Sequence, residues 1–89
     1  MKNKFNTGQI VATPGALRLE EDGCDLVDYL NRHLSGDWGN LCKEDTAEND
    51  LSLTEGNRLL SSYNTPYGKL WIITEADRSA TTFLTPSEY

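Results

Sequence analysis

The 89-residue chain carries fourteen Asp plus Glu against eight Lys plus Arg, a net charge of −6, with 37% hydrophobic and 25% charged residues. That composition belongs to a folded domain rather than a disordered chain, and so short a chain supports one modest core and no second domain. The acidic balance works against attraction to phosphate backbones or anionic lipid, so direct nucleic-acid binding is not expected, and no apolar run approaches the roughly 20 residues of a membrane-spanning helix.

Residues 1–7 are expected to form a flexible lead-in to a single domain over 1–89, with a strand and helices in 9–56 and an antiparallel sheet in 57–85. Gln9 to Ala12 is a short run of strand type. Thr13-Pro14 then reads as an N-cap followed by proline at the first helical position, which predicts a helix of about two turns from Pro14 to a left-handed stop at Gly23. Asp25 caps a second helix in which Leu26, Tyr29, Leu30, His33 and Leu34 recur at helical spacing until Gly36. Ser35 to Leu41, with glycines on both sides of Asp37-Trp38, is an ordered loop pinned by Trp38. Lys43 to Thr54 is an acidic third helix whose apolar side is drawn from Ala47 and Leu51, and Gly56 ends it.

After Gly56 the period changes to two. Arg58 to Tyr63 and Lys69 to Ala76 form a hairpin around Asn64-Thr65-Pro66-Tyr67-Gly68, and Ala80 to Thr85 returns as a third strand. Leu70, Trp71, Ile72 and Ile73 make the middle strand central and buried on both faces. The fold class is therefore α+β: short N-terminal helices packed on a C-terminal three-stranded antiparallel meander, with Gln9 to Ala12 as a fourth strand at one edge. Helices cover one sheet face; the other needs twist, the N-terminal strand or a partner chain to bury its apolar residues.

Residue types that carry chemistry are sparse. His33 and Asp37, with Glu44 and Asp45 nearby, form the one cluster resembling an acid/base or metal site, yet a metal needs three or four converging ligands and a general base needs an orienting partner. Placed near a helix C-terminus, His33 reads better as a partly cationic ring offsetting the helix dipole. Cys24 and Cys42 read as two reduced thiols, and the glycines fall singly, without a phosphate-binding pattern. No metal or cofactor is expected. Glu75, Asp77 and Arg78 sit in a turn where an Asp side chain bonds its own backbone, or where Arg78 and Glu75 make a polar recognition tip. Tyr67, in the hairpin turn, and Tyr89 are the aromatic candidates for a contact surface.

Four stretches, Gly8 to Leu17, Arg32 to Gly39, Trp71 to Ser79 and Leu84 to Tyr89, resemble a family of small plasmid-related proteins carried by bacterial plasmids and integrated mobile elements. The resemblance covers nearly the whole chain and implies a bacterial, cytoplasmic setting with no catalytic residue carried over. Its motif positions include Arg32, His33, Asp37, Trp38, Glu75, Asp77 and Arg78. The expected function is a non-enzymatic module that binds another protein. The alternative is an acidic mimic of nucleic acid directed at a restriction or defence enzyme, motivated by eleven acids against two bases between Glu20 and Glu55. A small hydrolase centred on His33 is the third reading.

Overall fold

The computed structural model describes residues 3–89. In chain order it contains β1 (Gln9–Ala12), α1 (Pro14–Glu21), α2 (Leu26–Leu34), α3 (Lys43–Glu55), β2 (Leu59–Thr65), β3 (Gly68–Thr74), β4 (Ala80–Leu84) and a short 3-10 turn over Pro86–Glu88. The fold is α+β, but the sheet is not a purely antiparallel meander. It is four-stranded and mixed, in the order β1-β4-β3-β2, with β1 parallel to β4 and the other pairs antiparallel. The chain between β1 and β4 is long enough for the crossover that a parallel pairing requires.

The helix starts follow the local chemistry of the sequence. The Thr13 hydroxyl accepts from the Ala16 N–H and Pro14 opens α1, while the Asp25 carboxylate accepts from the Val27 and Asp28 N–H groups at the start of α2. Ala16, Leu19, Cys24, Leu26, Tyr63, Leu70, Ile72 and Phe83 form the core between α1, α2 and one sheet face. The middle strand is less enclosed on the other face, where Ile73 is buried but Trp71 only half-buried.

The third helix departs from expectation. Ala47 and Leu51 are exposed, and the buried residues of α3 are Asn49 and Ser52. The reason lies in what the helix covers. It packs beside the outer strand β2, where unpaired backbone amides rather than apolar side chains ask for partners. Residues 59, 61, 63 and 65 of β2 face β3, so Leu60, Ser62 and Asn64 direct their backbone groups outward. The Asn49 side-chain amide donates to the Leu60 carbonyl and accepts from the Leu60 N–H. The Ser62 N–H donates to the Trp38 carbonyl at 3.1 Å, and the Asn40 N–H donates to the Ser62 carbonyl at 2.6 Å. The Asn64 N–H donates to the Asn40 side-chain oxygen at 2.9 Å. Gly39 makes this approach possible, because a Cβ there would lie 2.2 Å from the Ser62 carbonyl oxygen and its φ is +79°.

Part of the lead-in lies against the fold: the Lys4 N–H donates to the Leu34 carbonyl, Phe5 stacks near Trp38, and the Thr7 carbonyl accepts from the Thr81 hydroxyl. The expectation for Met1 and Lys2 lies outside the described residues. At the other end, Glu88 joins two elements. Its carboxylate accepts from the Thr85 N–H and hydroxyl, closing a capping box, and also from the Thr13 hydroxyl and the Gly15 N–H at the start of α1. Helix α1 has Ala16 where a capping box would place an acid, and Glu88 supplies that carboxylate from the far end of the sequence.

Two measurements check these couplings. Replacing Asn49 by Ala strands both backbone groups of Leu60 and should lower stability by about 2 kcal/mol in urea denaturation; a loss below about 0.5 kcal/mol would show that this edge is satisfied in another way. Hydrogen bonds from Thr13, Thr85 and Gly15 hold the Glu88 carboxyl down at about 2 from its ordinary 4.5. Its contribution is therefore complete above pH 4.5 and lost as pH falls through about 2. Glu88→Gln should flatten the acid limb of the stability profile over that window.

Candidate functional site

His33 lies on the inner side of α2 and is wholly buried. Its Nδ1 is 2.5 Å from the Ser61 hydroxyl on β2 and its Nε2 is 2.9 Å from the Thr74 hydroxyl on β3. The Thr74 hydroxyl is 2.8 Å from that of Thr81 on β4, which donates to the Thr7 carbonyl at 2.8 Å. A carbonyl can only accept, and this fixes the direction of the whole series. Thr81 donates to Thr7, so Thr74 donates to Thr81, Nε2–H donates to Thr74, and Nδ1 accepts from Ser61. Burial, with the Arg78 cation adding to it, pushes the His33 pKa down to about 3. The ring is a neutral cross-brace, and the partly cationic helix-end histidine expected from the sequence is corrected on that ground. Ser61 and His33 form a serine–histidine pair, but both are sealed from solvent.

The neighbouring residues of the motif form a clamp at the surface. Arg32 Nε donates to Asp37 Oδ2 at 2.7 Å, and the guanidinium carbon lies 4.7 Å from the Tyr63 ring centroid. The bond from Arg32 holds the Asp37 carboxyl below its ordinary range, and Asp37 also accepts from the Gly39 N–H. The Tyr63 hydroxyl donates to the Asp37 carbonyl at 2.6 Å, and burial pushes its pKa up to about 12. Trp38 is buried with its indole N–H on the Asp50 carboxylate and its ring 5.6 Å from that of His33. Arg32, His33, Asp37 and Trp38 thus come together, and most of their polar groups already have partners inside the chain.

The turn after β3 is also internally committed. The Asp77 carboxylate accepts from the Ser79 N–H, which is the self-bonding turn expected. Arg78 has φ +60° and turns its guanidinium inward, donating to the carbonyls of Ser52, Asn57 and Glu75. It supplies the cation that the last turn of α3 lacks. Glu75 faces Arg58 at 3.4 Å. Through Arg78 this turn joins the end of α3 to the sheet.

Tyr67 and Tyr89 stay exposed, at 46% and 71%, in different places. Tyr89 lies on the sheet face without helices, its ring 5.5 Å from Trp71 and its hydroxyl accepting from Arg58 at 3.1 Å. It is the cover which that face needed, and the Trp71 indole N–H beneath is buried without a partner. Tyr67 flanks a cleft of about 390 Å³ between α1, the hairpin turn and the C-terminal turn, lined also by Arg18, Leu19, Ser87 and Glu88. Gly23, whose φ of +121° favours glycine, lies against the Tyr67 hydroxyl, 2.9 Å from where a Cβ would sit.

Sequence reasoning passed over Arg18, Ser87 and Glu88. The spacing of Thr85 to Glu88 around Pro86 is a capping-box signal that could have found the last of these; nothing in the local sequence places Arg18 beside Tyr67. Both cysteines are free thiols, and burial raises the pKa of Cys24. Among the described residues no group of three or more His, Cys, Asp or Glu is placed to hold a metal, and no helix is long and apolar enough to cross a membrane. No family model, curated protein or solved structure matches the chain.

The buried histidine gives a direct test. With its pKa near 3 against 6.5 for a free side chain, His33 should keep neutral-imidazole NMR shifts at pH 5. The unfolded chain takes up a proton there that the folded one refuses, so stability should fall as pH drops from 6.5 toward 3, with a slope approaching about 1.4 kcal/mol per pH unit. Imidazolium shifts at pH 5 would overturn the assignment.

Proposed function

We propose that the chain is a non-enzymatic, protein-binding accessory module of a bacterial mobile element, acting in the cytoplasm, and that it contacts its partner through the cleft beside Tyr67. The cleft carries this reading: it sets a half-exposed tyrosine next to the exposed Arg18, in a frame fixed by Leu19, Gly23 and Glu88. Tyrosine and arginine are the side chains that most often anchor protein interfaces, and a rigid frame lowers the ordering cost of binding. The sealed state of Ser61 and His33 favours a binder over a hydrolase, because a nucleophile must reach its substrate. The mobile-element setting rests on the resemblance of the four sequence stretches.

One observation favours the acidic-mimic alternative. Glu44, Asp45, Glu48 and Glu55 are exposed on α3 and make no ion pair among the described residues. The two readings separate on salt and on mutation. The partner is captured from bacterial lysate on the immobilised chain, purified and titrated by calorimetry. Tyr67→Ala and Arg18→Ala should each weaken it at least about tenfold, with a shallow salt slope. Reversal of Glu44, Asp45 and Glu48 to Lys should change affinity by less than about threefold, as expected for exposed charges at a rim. A steep salt dependence, with binding lost on charge reversal and intact in the Tyr67 and Arg18 variants, would transfer the function to α3.

A further inference from the structure

We propose that the chain associates with a second copy of itself through the open edge of β1, joining the two four-stranded sheets across a two-fold axis that passes beside Val11. The two sheet edges are treated in opposite ways. Every outward-facing position of β2 is occupied, at Leu60 by Asn49, at Ser62 by Trp38 and Asn40, and at Asn64 by Asn40. On β1 the parallel register directs residues 9, 11 and 13 toward β4, with the Gln9 N–H on the Ser79 carbonyl and the Thr13 N–H on the Phe83 carbonyl. Ile10 and Ala12 therefore direct their N–H and C=O groups away from the sheet, and no described residue pairs with them. Nor is the edge covered from above. The lead-in runs instead to Leu34, Trp38 and Thr81, and Ile10 and Val11 stay exposed.

The occupant is argued from self-complementarity and charge. Two antiparallel copies of β1 in the register Ile10 to Ala12, Val11 to Val11 and Ala12 to Ile10 satisfy all four outward backbone groups of each copy with one set of paired hydrogen bonds. That arrangement closes as an isologous dimer and leaves no further β1 edge. Ile10 and Val11, 51% and 42% exposed, then cover each other's apolar surface: Ile10 lies over Ala12 of the second copy, and the two Val11 side chains meet at the axis. From Thr7 to Leu17 no residue carries a charge, so two chains of net charge −6 meet here without setting acid against acid. A foreign strand would need no such neutrality or two-fold register.

An interface of one short strand is at the small end of specific contacts, and its association should be weak. Sedimentation equilibrium from about 10 μM to about 1 mM should show the mass rising from the 10.0 kDa of one chain toward twice that value. Ile10→Pro removes only an outward N–H, which an edge strand tolerates, and should weaken association at least about tenfold while the urea midpoint holds. Val11→Lys, which sets two cations face to face at the axis, should do the same and decides the matter if the proline variant is unfolded. In a Cys42→Ser background, Val11→Cys should form a disulfide-linked dimer on mild oxidation, because facing residues of a non-hydrogen-bonded pair lie about 4.5 Å apart between Cα atoms. A single-chain mass throughout overturns the proposal. So does association unchanged in Val11→Lys, or Val11→Cys cross-linking no faster than a cysteine placed at exposed Val27.

Discussion

The hydrogen-bonded series through His33 is the constraint on which the rest of the molecule depends. It runs from β2 through α2 to β3, β4 and the lead-in, so one hydrogen-bonded series joins five separate parts of the chain. A hydrocarbon side chain of similar size would fill the space but leave the Ser61 and Thr74 hydroxyls without their partner, and a buried unpaired polar group costs about 1–3 kcal/mol. Directionality adds specificity. Because the series ends on a carbonyl, every hydroxyl has one orientation and the ring one tautomer, and a slipped register would break all of them together. In so small a core, where apolar burial and chain entropy nearly cancel, such a centre can decide which of several compact arrangements is adopted.

The surrounding elements apply the same rule at the periphery. Asn49 completes the edge of β2, Arg78 completes the end of α3, and Glu88 completes the start of α1. Each side chain comes from elsewhere in the sequence and satisfies backbone groups that its target cannot satisfy locally. Much of the polar chemistry that the sequence displays is therefore directed inward. The charged turn at Glu75 to Ser79 and the Arg32 to Trp38 motif are joints within the fold, whose side chains are bonded to neighbouring parts of the chain.

What was legible in the sequence is what local chemistry decides. Thr13-Pro14 and Asp25 announce helix starts, Gly23, Gly36 and Gly56 announce stops, and the change to alternation after Gly56 announces strands. The α+β class follows from those signals, and so does a fourth strand at an edge. Its parallel pairing does not, because alternation reports that a strand exists and says nothing of its neighbour. The face of α3 is not legible for a related reason: helical periodicity marks an apolar stripe, whereas this helix covers a strand edge and presents the Asn49 amide to it. His33 was placed by its position in α2, near a helix end, and three hydroxyls brought by distant strands decide its environment instead.

This inward commitment bears on where recognition can occur. A side chain already bonded within the fold must break those contacts before it can bind anything else, and the loss offsets the gain. Arg78, with three carbonyl partners, and Trp38, buried against His33, are poor anchors for that reason despite their residue types. Tyr67 and Arg18 at the cleft, and the backbone of Ile10 and Ala12 at the β1 edge, have no such internal claim among the described residues.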